Sequence, residues 1–327
     1  LASNENPRGP SPKAVEAINR ALREIHLYPD AGGYALGQRL SQEFDFPADS
    51  IVLGNGSVEI IEIICEAFLE PGWESITGPQ AFLKYRIASQ IMGVRPIMVP
   101  MPDFRYDGEA MVRAITPKTK LVFIANPNNP TGTYLDRTQV ERILGSLPDQ
   151  GILVLDEAYF EYMDKPDYPN GLDYVKAGER VIVLRTFSKA YGLAGVRCGY
   201  AFAPPEIAVA MQKVREPFNC SSLAQVAALA ALDDQDFVQE SLQLNRLGMA
   251  EVVSGLKEFP VDVIPSVTNF VLVDFRRPFK PLFTELLKRG VIIRPMEPYD
   301  LPTCARISIG LSHEHKKLIM ALREVLS

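Results

Sequence analysis

The chain has 327 residues, 47% of them hydrophobic and 23% charged, an ordinary globular composition long enough for two domains with cores of their own. Its net charge of −6 gives a nucleic-acid partner no electrostatic support, and no apolar run reaches the ~20 residues of a membrane helix. Four cysteines are scattered with no Cys-x-x-Cys pair and read as reduced thiols of a cytoplasmic protein; no secretory leader pattern opens the chain.

In chain order, a helix is expected over residues 11–25. Strand-like apolar runs then cover 51–53, 75–77 (the weakest), 97–99, 121–125, 152–155, 181–184 and 200–203, with helical periodicity at 58–68, 82–92 and 138–147 between them. This alternation predicts an α/β fold, a mostly parallel central sheet flanked by helices. Residues 224–232 are apolar on nearly all sides and read as a core helix. A long helix from about 236 to 256 leads into a smaller α+β domain, with strands at 261–264, 269–273, 291–294 and 306–309 and helices near 281–289 and 314–326. His313 and His315 flank Glu314. A spacing of two does not put both on one helix face, so they read as a solvated helix start and no metal site is expected.

Four motifs follow predicted strands, where open α/β sheets place ligands. Gly54-Asn55-Gly56-Ser57-Val58-Glu59 combines glycines with a helix start, whose free N–H groups suit a phosphate; taken alone it reads more readily as a plain turn with Ser57 as N-cap. In Asn126-Pro127-Asn128-Asn129-Pro130-Thr131-Gly132 two prolines stop the strand, prevent a helix and pin Asn129 at the sheet edge; without a ligand it is a Pro/Asn turn. Asp156-Glu157-Ala158-Tyr159 puts a carboxylate at the end of a buried strand, which is costly without a partner. A protonated pyridine nitrogen would be such a partner, and a helix cap with Tyr159 as packing is the other reading. The run from Ser188 to Tyr200 brings a hydroxyl, an amine, three glycines and a guanidinium together. Glycines let backbone approach a ligand, Ser188 and Arg197 suit a phosphate, and Lys189 beside it could form a Schiff base with a carbonyl cofactor. A lone Ser-Lys, by contrast, is ordinarily surface.

The wording Ser188-Lys189-Ala190-Tyr191-Gly192-Leu193-Ala194-Gly195-Val196-Arg197 closely resembles the pyridoxal-phosphate lysine motif of fold-type I aminotransferases, most nearly the histidinol-phosphate aminotransferase branch. The asparagine–proline run resembles that family's Asn-Pro-x-Asn-Pro-Thr-Gly motif. The order Asn129, Asp156, Tyr159, Lys189, Arg197 matches the family over essentially the whole chain.

The resemblance implies a large cofactor-binding domain over 28–245 and a small domain built from 1–27, including the first helix, and 246–327. It implies pyridoxal 5'-phosphate as cofactor. Lys189 would be the Schiff-base lysine and proton shuttle, and Asp156 would pair the pyridine nitrogen. Asn129 and Tyr159 would bond the phenolic oxygen. Ser57, Val58, Ser188 and Arg197 would hold the phosphate, and Phe82 would stack on the ring. Val58 stands where relatives often carry Asp, so only a backbone role carries over. Tyr28 would reach the partner subunit's phosphate in a homodimer. Arg306 would grip a substrate carboxylate, with Arg294 as a second arginine and Asn6 in the same pocket. The chain opens at Leu1 inside a Leu-Ala-Ser-Asn-Glu-Asn-Pro run that relatives precede with further residues, so residues before Leu1 are expected. The implied reaction is transamination of L-histidinol phosphate with 2-oxoglutarate, giving imidazole-acetol phosphate and glutamate. An aromatic amino-acid aminotransferase and a threonine-phosphate decarboxylase are the alternatives on the same scaffold. A non-catalytic cofactor-binding or regulatory protein is the alternative of a different class.

Overall fold

The computed structural model describes residues 1–326. Its first part alternates helices α1 (Pro12–Ala21), α2 (Tyr34–Phe44), α3 (Ser57–Phe68), α4 (Leu83–Ile91), α5 (Gly108–Ala114), α6 (Arg137–Leu144), α7 (Gly171–Lys176), α8 (Pro205–Val214), α9 (Ser222–Leu232) and α10 (Gln235–Leu256) with seven strands. These are β1 (Ile51–Gly54), β2 (Glu74–Thr77), β3 (Ile97–Met98), β4 (Thr119–Ala125), β5 (Ile152–Asp156), β6 (Val181–Thr186) and β7 (Gly199–Phe202). The second part holds β8 (Asp262–Ile264), β9 (Phe270–Asp274), α11 (Phe279–Lys288), β10 (Arg294–Pro295), β11 (Cys304–Ser308) and α12 (Ser312–Leu326).

The seven strands form one sheet in the order β1-β7-β6-β5-β4-β2-β3. Only β7 runs antiparallel to its neighbours; the other pairs are parallel. Every residue of β5 and β6 is buried, the mark of central parallel strands covered on both faces. Because β4, β5 and β6 are adjacent and parallel, their carboxyl ends open on the same edge. The smaller sheet, β10-β11-β9-β8, is antiparallel throughout.

The long helix α10 joins the two cores. Val238 and Leu242 pack into the larger cluster, Val252 and Leu256 into the smaller. The predicted elements are largely present, with four corrections. The first helix does not pack in the smaller core: α1 lies along α9, and Ala14 joins the larger cluster. Alanines on both helices (Ala14 and Ala17 against Ala224, Ala227, Ala228 and Ala231, all buried) allow this close approach. That helix also stops at Ala21 and tightens into a 3-10 turn at Leu22–Glu24. The strand expected at 291–294 is only Arg294–Pro295. Finally, His315 is buried instead of solvated: its Nδ1 lies 2.8 Å from Glu251 and its Nε2 accepts the Gly310 N–H at 2.9 Å. The histidine therefore ties α12 to α10.

Candidate active site

One cleft at the carboxyl edge of the large sheet is lined by Ser57, Val58, Phe82, Asn129, Asp156, Tyr159, Ser188, Lys189 and Arg197. All nine were singled out in the sequence. The parallel strands explain the convergence: β4 leads into Asn129, β5 ends on Asp156, and β6 delivers Ser188 and Lys189.

At one end lies a cup of donors. The residue before α3 is Gly56, at φ +78, and it leaves the helix N-terminus without a side-chain cap. Free backbone N–H groups at Ser57 and Val58 therefore face the cleft. Arg197 closes the cup, its Nη1 donating to Ser188 Oγ at 3.3 Å and to Ala194 O at 3.0 Å. The fit is tight: a Cβ on Gly56 would come within 2.3 Å of Arg197 Nη2, and one on Gly199 within 2.6 Å of the Ser57 nitrogen. Glycine is needed at both places for the arginine, the strand and the helix start to meet.

At the other end Asp156 is 4% exposed. Its Oδ2 accepts the Tyr85 hydroxyl at 2.7 Å and its Oδ1 accepts the Ala158 N–H at 3.1 Å. Burial pushes its pKa up to about 6, against the pull of those two donors and of Lys189. This carboxylate sits in a low-dielectric site with no cation bonded to it among the described residues, and a protonated ring nitrogen would satisfy it.

Lys189 follows Ser188 beneath the N-terminal segment. Its amine donates to Ser3 O at 3.3 Å and Asn4 O at 3.4 Å. Burial, with Arg306 and Arg197 nearby, lowers its pKa to about 8, so a sizeable fraction is neutral at physiological pH. A neutral amine is what attack on a carbonyl requires.

A polar bridge forms the third wall. Arg306, on β11, is 8% exposed. It donates from Nη1 to Asn129 Oδ1 and from Nη2 to Ala2 O at 2.8 Å. Its Nε is buried without a partner, and among the described residues no carboxylate pairs with it. A buried guanidinium lacking an anion is costly, and burial accordingly lowers its pKa. The bond from Arg306 occupies Asn129 Oδ1 and leaves the Asn129 amide to donate into the cleft. Tyr159 O–H likewise accepts from Asn4 Nδ2 at 3.0 Å, which frees its proton for donation; burial raises its pKa to about 12, so it keeps that proton.

Three candidates lie elsewhere. The Asn6 amide is spent on Ala190 O and Ser241 Oγ, each at 2.9 Å, so Asn6 locks the N-terminal segment down and does not line the cleft. Arg294 is exposed on β10, directly across from Arg306 in the sheet register. Tyr28 is 82% exposed and stacks on Phe218 at 4.8 Å, out of the chain's own cleft. Sequence reasoning missed Tyr85, Thr186 and Asn4. Thr186 ends β6 and lines the cleft. Asn4, besides holding Tyr159, exchanges two bonds of 2.8 Å with Ser308; the Asn-Glu-Asn run was the available signal, read one asparagine too late.

Residues 1–323 match the family described as aminotransferase class I and II. A histidinol-phosphate aminotransferase 2 of Pseudomonas fluorescens Pf-5 is 44% identical over 327 residues, covering 100% of this chain and 88% of that protein. A histidinol-phosphate aminotransferase of Moorella thermoacetica is also 44% identical, over 100% of this chain and 85% of its own length. Among solved structures, a histidinol-phosphate aminotransferase from Sinorhizobium meliloti in complex with pyridoxal-5'-phosphate superposes with a TM-score of 0.93. It is 31% identical, over 99% of this chain and 89% of that one.

Proposed function

The chain belongs to the class I and II aminotransferases, and we propose that it exchanges the amino group of L-histidinol phosphate with 2-oxoglutarate, giving imidazole-acetol phosphate and glutamate, a step of histidine biosynthesis. The observation that carries this reading is one cleft in which an anion cup, a neutral-prone amine and a buried carboxylate line the walls, with an arginine lacking its anion at the rim. Pyridoxal 5'-phosphate fits that set. Its phosphate suits the uncapped α3 N-terminus with Ser188 and Arg197, its ring the face of Phe82, and its protonated nitrogen Asp156. When bound, it supplies an electron sink for the carbanion left at the substrate α-carbon.

The chain's own residues do the rest. Lys189 Nζ would hold the cofactor through its aldehyde and, once freed by the substrate amine, would carry the substrate α-proton; such positioned proton transfer contributes ~10²–10⁴-fold. Asp156 holds the ring-nitrogen proton. Tyr159 and the Asn129 amide donate to the phenolic oxygen. Arg306 takes the α-carboxylate of glutamate, and Arg294 next to it takes the phosphate of histidinol phosphate or the second carboxylate of glutamate, because a guanidinium fork accepts either.

The protein acts as a homodimer in this reading. Leu22, Ile25, Leu27, Tyr28 and Tyr34 leave 45–82% of their surfaces exposed within one short stretch, and a second copy of the chain would cover them and bring Tyr28 to its cup. The four buried, unpaired thiols support the reducing cytoplasm as its compartment.

The test is a half-reaction followed by absorbance. Cofactor-loaded protein is mixed with histidinol phosphate and, separately, with phenylalanine. Rapid loss of the bound cofactor's visible band with histidinol phosphate alone supports the reading, and preference for phenylalanine moves the assignment to aromatic transamination. Arg294→Met should weaken histidinol phosphate at least tenfold more than an uncharged aromatic amine, since a hydrogen bond to a charged group is worth about 1.5–3 kcal/mol. Equal losses for the two amines would remove Arg294 from the site.

A further inference from the structure

Tyr85 belongs to the first turn of α4 and is fully buried. Its ring stacks on Phe123 of β4, centroids 5.0 Å apart and planes within 9°, and meets the edge of Phe82 at 5.8 Å. That packing leaves the phenol one direction to point, across the end of β4 toward β5. There it meets Asp156 Oδ2 at 2.7 Å. Ala125 and Asp156 are register partners on the two strands, so the helix reaches over the strand to the carboxylate beyond it.

A carboxylate accepts and a phenol donates, and donation to the charged form favours that form. We propose that Tyr85 is a positioning residue for the cofactor's ring nitrogen: its O–H, held by the Phe123 stack, keeps Asp156 ionised and fixes the rotation of the carboxyl group. This rests on the proposed role of Asp156. With Tyr85 on Oδ2 and the Ala158 N–H on Oδ1, neither oxygen can swing away. Each still has a lone pair for a cationic N–H. The other ionisable groups that face Asp156 are Lys189, from the segment after β6, and Tyr106 and Tyr159. Burial raises the pKa values of Tyr85, Tyr106 and Tyr159, so all three stay neutral through the physiological range. Lys189 is then the one charged neighbour, and it is committed elsewhere. Tyr85 is the side-chain donor that remains with Asp156 while Lys189 moves between aldehyde, substrate and proton.

The experiment uses Tyr85→Phe, which keeps the ring and its stack and removes one oxygen. Cofactor-free protein is titrated with pyridoxal 5'-phosphate, and the bound cofactor's visible absorbance is followed against pH. Asp156→Asn and the double variant are treated alike. Tyr85→Phe should weaken cofactor affinity about tenfold and move the acidic limb of the absorbance profile up by about one pH unit. In the Asp156→Asn background the same change should alter affinity less than twofold. A purely structural tyrosine would lower the melting temperature in both backgrounds and move neither affinity nor pH limb. Parent-like affinity and pH limb in Tyr85→Phe, with Asp156→Asn impaired, overturns the role of Tyr85 alone. Parent-like behaviour in Asp156→Asn overturns the role given to Asp156, and this inference with it.

Discussion

Asp156→Asn should stabilise the cofactor-free protein while disabling it. The carboxyl is raised from 3.8 to about 6 by burial, a penalty on the folded state of about 3 kcal/mol at neutral pH. The sign follows from linkage. The folded pKa lies above the unfolded one, so below pH 3.8 both states are protonated and no penalty exists. It develops as pH rises and is complete above about 6. Asparagine carries no charge and can still accept the Ala158 N–H and donate to the Tyr85 oxygen. The weaker hydrogen bonds give back about 1 kcal/mol. The net gain is about 2 kcal/mol at pH 7.5, roughly 3 °C in melting temperature for a chain of this size, and it disappears near pH 4.5. Thermal unfolding of cofactor-free parent and variant at the two pH values measures this. Turnover should fall at least 100-fold, because the ring-nitrogen proton loses its counter-charge. A variant less stable than the parent at pH 7.5, or a gain that does not change with pH, would refute the account of Asp156 as a charge held against its solvation.

The remaining predictions concern Lys189 and the anion cup. The rate at which cofactor-free protein captures pyridoxal 5'-phosphate should rise with pH to a plateau with its midpoint at about 8, where the Lys189 amine loses its proton; a midpoint near 10.5, the ordinary lysine value, would mean that burial does not tune this amine. Lys189→Ala should abolish turnover and leave any residual cofactor exchangeable by dialysis. Gly56→Ala should weaken cofactor binding tenfold or more, because its Cβ would stand 2.3 Å from Arg197 Nη2 at a φ of +78°. Equilibrium titration of the folded variant reads this, and parent-like affinity would show that the cup is looser than its geometry.

Much of this site was legible in the sequence because an α/β fold turns local order into spatial order. Each functional group follows its own strand, and parallel neighbouring strands deliver their ends to one edge. Asn129, Asp156 and Lys189 therefore meet without any need to know which strand lies where. Groups outside that logic were hidden. Tyr85 sits in an amphipathic helix, where a buried tyrosine looks like any core aromatic. Asn4 reaches Tyr159 because the first residues cross the domains, Ser308 N donating to Leu1 O at 3.0 Å. Nothing local encodes that crossing. The packing of α1 depended on its alanine face finding another alanine face in α9, a match between segments about 200 residues apart. Arg294 and Tyr28 are legible only by resemblance, since neither lines the isolated chain's cleft.

Asp156 and Glu157 show why the site can tolerate its own electrostatics. They are consecutive, so their side chains leave opposite faces of the strand end. Asp156 faces the cleft and, among the described residues, has no cationic partner. Glu157 faces the covered side, where its Oε2 accepts from Arg185 Nε at 3.0 Å and Nη2 at 2.9 Å and its Oε1 accepts the Gly171 N–H at 2.7 Å. Arg185 is itself packed against the Phe160 ring, 3.6 Å from its centroid. Removing one partner of such a buried pair typically costs about 3–5 kcal/mol, so β5 and β6 are clamped directly behind the residues that need to be held still. The same backbone step thus carries a carboxylate whose charge is satisfied by the fold and one whose charge is left for a ligand. Arg185 and Arg306 repeat the contrast: both are buried, but only Arg185 has its carboxylate. The charges left open, Asp156 and Arg306, are the ones whose complements a cofactor and a substrate bring.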